Sequence, residues 1–141
     1  MPSQIEPLLK EDVQDFIFLN ENADVQKLLL KQGDVLGVPT ENIAQQLTGR
    51  KKAKTKIASW YNMRGIIYPP SLNMEQSSSD ATAKFKLALL KKIINDEDKV
   101  ISIADLTGGF GVDTYSLSLR AQHVDYVEPD VELYELAKHQ S

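Results

Sequence analysis

Val100-Ile101-Ser102-Ile103-Ala104-Asp105-Leu106-Thr107-Gly108-Gly109-Phe110-Gly111-Val112-Asp113 passes from a short apolar run through a glycine-rich turn into the start of a helix. Val100 to Ala104 is almost wholly apolar, the pattern of a buried parallel strand rather than of a half-solvated one. Downstream the period changes twice more: roughly Asp113 to Arg120 reads as a helix and Val124 to Val127 as a second strand. Strand, glycine turn, helix and strand make the opening βαβ unit of a doubly wound α/β sheet. A further helix begins near Pro129-Asp130-Val131, with Pro129 suited to its first turn, and is still running at Ser141. A complete nucleotide-binding sheet needs several more strands, so the chain is expected to be the N-terminal portion of a longer protein.

The turn carries the chemistry. Glycines between a strand and a helix let a ligand approach the backbone, because no β-carbon stands in the way. A dinucleotide fingerprint would continue Gly109-x-Gly111-x-x-Gly, but the last position is Thr114. Asp105 instead opens the pattern D-x-x-x-G-x-G, and a carboxylate at a strand end suits a cationic ligand group better than a pyrophosphate, which it would repel. The second acid is Glu128, at the tip of Val124-Asp125-Tyr126-Val127, where a carboxylate can accept hydrogen bonds from two ribose hydroxyls. A glycine-rich turn by itself also occurs as a purely structural device; Asp105 and Glu128 at their spacing favour a ligand site.

Upstream, the spacing of Leu9, Val13, Phe16 and Ile17 predicts a helix. Val25, Leu28 and Leu29 predict another after a cap at Asn22, stopping at Gly33. Pro39-Thr40 introduces a third, with Thr40 as N-cap, Ile43, Ala44 and Leu47 on its inner face, and Gly49 as its end. Residues 50–79 read as a helix turn or two followed by ordered loop, broken at Pro69-Pro70. After Ser79 comes the clearest helix, with Ala83, Leu87, Leu90 and Ile94 on one stripe and Lys84, Lys91 and Lys92 turned away from it. Two domains follow: a helical one over 1–78 with a basic segment at 50–56, and the start of a ligand-binding sheet domain over 79–141.

Composition excludes several classes. With no cysteine there is no disulfide framework, thiolate metal site or cysteine nucleophile. His123 and His139 lack partner ligands at metal-site spacing, so no metal is assigned. No apolar run approaches ~20 residues and Met1-Pro2-Ser3-Gln4-Ile5-Glu6 has no leader character, so a cytoplasmic protein with no membrane contact is expected. The net charge of −4 conceals blocks of −5, +6 and −5 over residues 1–49, 50–99 and 100–141. Arg50, Lys51, Lys52, Lys54 and Lys56, just before Trp60 and Tyr61, could track a phosphate backbone beside a stacked base, or could be a solvated charge run beside core aromatics.

Asp105 to Asp113, followed by Glu128, resembles motif I and the acidic strand end of class I S-adenosylmethionine (SAM) methyltransferases. With Tyr68-Pro69-Pro70-Ser71-Leu72-Asn73-Met74-Glu75-Gln76-Ser77-Ser78 upstream, it is similar to the bacterial family that carries a THUMP-like domain after the catalytic sheet, a likeness covering about residues 40–141. The resemblance implies a Rossmann-like methyltransferase sheet of which this chain holds the first βαβ unit. It implies SAM as cofactor, with Asp105 toward its amino-acid end, Thr107, Gly108, Gly109, Phe110 and Gly111 lining it, and Glu128 on the ribose. By the same resemblance Gln76, Ser78 and Thr82, in a loop ahead of motif I, would contact the cofactor; Ser79 or Asp80 could equally be the N-cap of the next helix. It further implies RNA as substrate, and an acceptor-orienting group after the fourth strand, which leaves this chain alone inactive. Tyr68-Pro69-Pro70 differs from the acceptor motif N/D-P-P-Y/F at its first residue and reads as a turn with an anchoring tyrosine. The alternative function is a nucleic-acid-binding helical module with a non-catalytic βαβ unit, and a third reading, NAD binding, is disfavoured by Thr114 and Asp105. An exposed edge on a two-stranded sheet predicts self-association of the isolated chain.

Overall fold

Residues Thr40–Lys56 form one unbroken helix, α4, on which the first part of the chain is assembled. A computed structural model describes residues 2–31, 33–93, 102–105, 109, 111–119, 121 and 123–140, which fall into two compact units, Met1–Glu75 and Gln76–Ser141. In the first unit, α1 (Pro2–Leu8), α2 (Glu11–Leu19) and α3 (Val25–Leu30) lead to a hairpin of β1 (Asp34–Val35) and β2 (Val38–Pro39), then α4, α5 (Ala58–Tyr61) and α6 (Ser71–Gln76). α4 packs against α2, α3, α5 and both hairpin strands. Ile43, Ala44, Leu47 and Ala53 on its inner face meet Val13, Ile17, Val38, Ile57, Trp60, Ile67 and Met74 in the buried core.

Several local expectations change. The cap of α3 is Asp24, whose Oδ1 accepts from the Gln26 and Lys27 N–H groups at 2.9 and 3.3 Å, so Asn22 lies outside the helix. The β1–β2 hairpin was not expected: its loop is Leu36-Gly37 with both φ values positive, 53° and 83°, and leucine rarely occupies such a position. Thr40 is the first residue of α4 and Pro39 its cap, because the Thr40 N–H continues the hairpin ladder to the Gly33 carbonyl at 3.3 Å. The region read as mostly loop holds the last turns of α4 together with α5 and α6. Lys56 supports the end of α6: its Nζ donates to the Met74 and Glu75 carbonyls, each at 2.8 Å, in the last turn of the helix.

Gly49 does not end α4. A β-carbon built there would lie 2.7 Å from Tyr68 Cγ and still closer to Tyr68 Cβ, so glycine is present for close approach. Tyr68 cannot easily retreat. Its N–H donates to Gln46 Oε1 at 2.8 Å, and its carbonyl accepts from Gln45 and Gln46 Nε2 at 3.0 and 3.1 Å. Gln46, only 2% exposed, thus satisfies its amide by reading both backbone groups of one residue, and Tyr68 is the anchoring tyrosine of the turn into Pro69-Pro70. Burial pushes the Tyr68 phenol up to about 12.

The second unit contains α7 (Asp80–Ile93), β3 (Ser102–Asp105), α8 (Val112–Ser118), β4 (His123–Tyr126) and α9 (Val131–Gln140). Ser79 caps α7, its Oγ accepting from the Thr82 N–H at 3.1 Å. Of the expected stripe, Ala83 is buried and Leu87 and Leu90 half-buried; Ile94 lies outside the described residues. β3 and β4 pair in parallel with Ser102 opposite His123 and Asp105 opposite Tyr126, and the ladder extends by a bond from the Val127 N–H to the Asp105 carbonyl at 2.9 Å. This is the βαβ unit, with α8 as crossover. The strands are not fully buried as expected: each alternates exposed and half-buried residues, Ile103 and Val124 being on the covered side, because α8 packs on them from one face. Val100, Ile101 and Arg120, expected at element ends, lie outside the described residues.

Gly49→Ala tests the close approach. Alanine would gain about 1 kcal/mol of helix propensity, whereas overpacking against an anchored side chain costs about 1–3 kcal/mol or more. The expected net result is a lower urea midpoint for unfolding; an unchanged or higher midpoint would show that Tyr68 can move away.

Candidate functional site

β3 and β4 end side by side, and each ends in or next to a carboxylate. Asp105 is the last residue of β3, and Glu128 lies two residues beyond Tyr126, the last residue of β4. Glu128 holds two backbone amides at once: Oε1 accepts from the Gly109 N–H at 2.9 Å and Oε2 from the Asp130 N–H at 2.8 Å. The first bond draws Gly109 onto the end of β4. The second fixes the entry to α9, which Asp130 caps by accepting from the Leu133 N–H at 3.1 Å.

Gly109 is gripped from its other side too, because the Tyr126 hydroxyl donates to the Gly109 carbonyl. With its N–H on Glu128 and its carbonyl on Tyr126, this residue at φ 53° has both polar backbone groups committed to strand-end side chains. Burial first, then the negative charges of Glu128 and Asp105, hold the Tyr126 phenol well above its ordinary range, so it remains a hydrogen-bond donor at physiological pH. Its ring lies 5.7 Å from that of Tyr134 on α9. Gly111, at φ 92°, is the N-cap of α8, and a β-carbon there would come within 3.3 Å of Ala137 Cβ; its smallness therefore serves the packing of α9 as well as the turn. Thr107, Gly108 and Phe110 lie outside the described residues.

Asp105 Oδ2 accepts from Thr114 Oγ1 at 2.7 Å. Thr114 therefore does more than interrupt a glycine fingerprint: it holds the strand-end acid. Sequence reasoning missed both Thr114 and Tyr126 as site residues. The signal for Thr114 was its place three residues into a helix facing a strand-end carboxylate; Tyr126 looked like one more residue of an alternating strand.

The three polar residues ahead of the turn separate. Ser78 Oγ donates to Asp113 Oδ2 at 2.7 Å, and Lys86 Nζ donates to both, at 2.8 Å to the carboxylate and 3.1 Å to the hydroxyl, so Ser78 is joined to the first turn of α8. Thr82 belongs to the cap of α7, its hydroxyl 3.0 Å from Ser79 Oγ. Gln76 is the exposed last residue of α6.

The basic run is largely used inside the first unit. Arg50 is 4% exposed; it donates to Glu21 Oε2 at 3.0 Å and to the Tyr61 carbonyl at 3.1 Å, and its guanidinium lies 3.9 Å from the Phe18 ring centre and 4.5 Å from that of Tyr61. A buried guanidinium needs such partners, and Arg50 is part of the core. Lys52 pairs with Glu75 at 2.9 Å and Lys56 holds the end of α6, while Lys51 and Lys54 are exposed. Among the described residues, no helix is long and apolar enough to cross a membrane.

No protein-family model matches the chain, and no curated protein matches it. Among solved structures it is similar to a protein from Porphyromonas gingivalis W83 that is provisionally assigned as a methyltransferase. The two are 25% identical with a TM-score of 0.72 over 96% of this chain, which spans 31% of the other's length. The mixed α/β fold is thus similar to a methyltransferase structure.

Glu21 gives the first unit an acid limb. The Tyr61 hydroxyl, donating at 2.6 Å, and then Arg50 hold its carboxyl below the ordinary 4.5. Because the folded value is depressed, this contribution to stability is complete above the unfolded value and is lost as pH falls through the folded one. Urea midpoints measured between pH 7 and pH 3 should drop for the wild type. Glu21→Gln should be less stable at pH 7 and flatter across that range; parallel curves would remove Glu21 as the cause.

Proposed function

We propose that the chain is the N-terminal portion of a SAM-dependent methyltransferase of the bacterial family with a C-terminal THUMP-like domain, and that the cofactor sits where β3 and β4 end. The observation that carries this reading is the pair of carboxylates at neighbouring strand ends, Asp105 held by Thr114 and Glu128 held by the Gly109 N–H. Their chemistry fits the cofactor. Each carboxylate offers about four lone-pair directions, so Glu128 retains acceptor capacity for ribose hydroxyls beyond its two amide bonds. Asp105 presents negative charge to a cationic amino-acid end, whereas two acids at this turn would repel a pyrophosphate. When bound, SAM supplies the electrophilic methyl group; the residues here bind and orient it.

RNA is the acceptor class we assign, supported by the exposed Lys51 and Lys54. With Arg50 in the core and Lys52 and Lys56 engaged, this segment supplies about two phosphate contacts, for which single-strand binding should show a log–log salt slope of about −1.4. A steep slope that survives Lys51→Ala/Lys54→Ala would place the RNA elsewhere.

The cofactor reading is tested by titrating S-adenosylhomocysteine into the intact protein. Asp105→Ala and Glu128→Ala each remove charge-assisted hydrogen bonds worth about 1.5–3 kcal/mol and should each weaken binding about tenfold or more. Unchanged affinity in both variants would sink the assignment. The 141-residue chain alone should transfer no tritium from methyl-labelled SAM to RNA, since the family resemblance puts the acceptor-orienting group after the fourth strand of the sheet.

A further inference from the structure

Thr114 occupies the position at which a dinucleotide-binding turn would carry its third glycine, and its side chain is turned onto Asp105. The Oγ1–Oδ2 separation of 2.7 Å is that of a charge-assisted bond between a hydroxyl donor and a carboxylate. Both ends of this bond rest on fixed backbone. Thr114 lies in α8, two residues after Val112, which is buried, and the Asp105 carbonyl is locked into the β3–β4 ladder by the Val127 N–H at 2.9 Å. An aspartate whose backbone is held by a strand still turns broadly about its last side-chain torsion. A threonine hydroxyl from the facing helix stops that rotation. Opposite Asp105 in the register stands Tyr126, whose phenol feels both Asp105 and Glu128 as negative charge, so the strand ends form an anionic edge.

We infer that Thr114 is a positioning residue: its hydroxyl fixes the Asp105 carboxylate in the orientation that receives the ammonium group of the cofactor's amino-acid end, so that the residue in place of the third glycine sets the ligand's charge. This inference rests on the SAM reading above. It differs from a structural role because the bond acts on one end of the ligand only. Loss of the hydroxyl affects recognition of the amino-acid chain and leaves the adenosine end, held by Glu128, as it was.

The test uses the intact protein and two ligands that share adenosine and a thioether: S-adenosylhomocysteine, with the amino-acid chain, and 5′-methylthioadenosine, without it. By isothermal titration Thr114→Val should weaken S-adenosylhomocysteine about three- to tenfold, less than the loss of a bond made to the ligand itself, because Asp105 keeps its charge and loses only its fixed orientation. It should leave methylthioadenosine within about twofold, and Thr114→Ser should recover the wild-type preference. Glu128→Ala should weaken both ligands together. The inference is overturned if Thr114→Val leaves S-adenosylhomocysteine unchanged, or if it weakens both ligands equally, the pattern of a helix merely shifted. A wild-type protein that binds neither ligand overturns the cofactor reading and this inference with it, whereas wild-type binding with an indifferent Thr114→Val overturns the inference alone.

Discussion

The second unit depends on the double hold that β4 exerts on Gly109. A glycine at positive φ is the least constrained kind of residue in a chain, and a turn built on it would sample many conformations. Here Glu128 takes its N–H and Tyr126 its carbonyl, so two side chains from one strand end specify where Gly109 stands relative to that strand. The arrangement also raises the Tyr126 phenol further above physiological pH: burial and two adjacent acids oppose a phenolate, and the hydroxyl serves as a donor. Asp105, held by Thr114, and Glu128, held by two amides, are then acids with fixed directions, which is the condition for recognising one ligand orientation.

In the first unit the same logic operates. Charged and polar residues that look like surface features are internal fasteners: Arg50 between two rings and Glu21, Gln46 on Tyr68, Lys56 on the end of α6. Removing one partner of such a set leaves a buried polar group unsatisfied, which costs more than the bond contributed. A basic run therefore has to be divided by burial before its charge is given to a partner, and here one arginine is taken by the core and two lysines are tied to Met74 and Glu75 in α6.

The βαβ unit was legible because its signals are local: an apolar run, glycines, a helical period, and a second strand ending before an acid. What was not legible depends on contacts between distant residues. Gly49 looks like a helix stop from its neighbours and is a close-approach residue because of Tyr68, far along the chain. The Leu36-Gly37 hairpin lacks the asparagine that usually advertises such a loop, and α6 is hidden behind two prolines that precede a helix as readily as they break one. In the candidate site, Asp105, Gly109, Gly111 and Glu128 were visible by type and spacing. Thr114 and Tyr126 were not, since a threonine and a tyrosine acquire their roles only when the strands are laid side by side.

The bond between Glu128 and Gly109 joins residues 19 apart in the chain, and so has a consequence for the order of folding. A parallel pair cannot form from a local turn; its crossover must be in place before the strand ends meet, and such pairing is slow. The carboxylate reaches the glycine amide only after that event, so the candidate site does not exist in a collapsed but unpaired chain. A ligand bound there would stabilise the paired state without accelerating its formation, and its presence would be felt as slower unfolding.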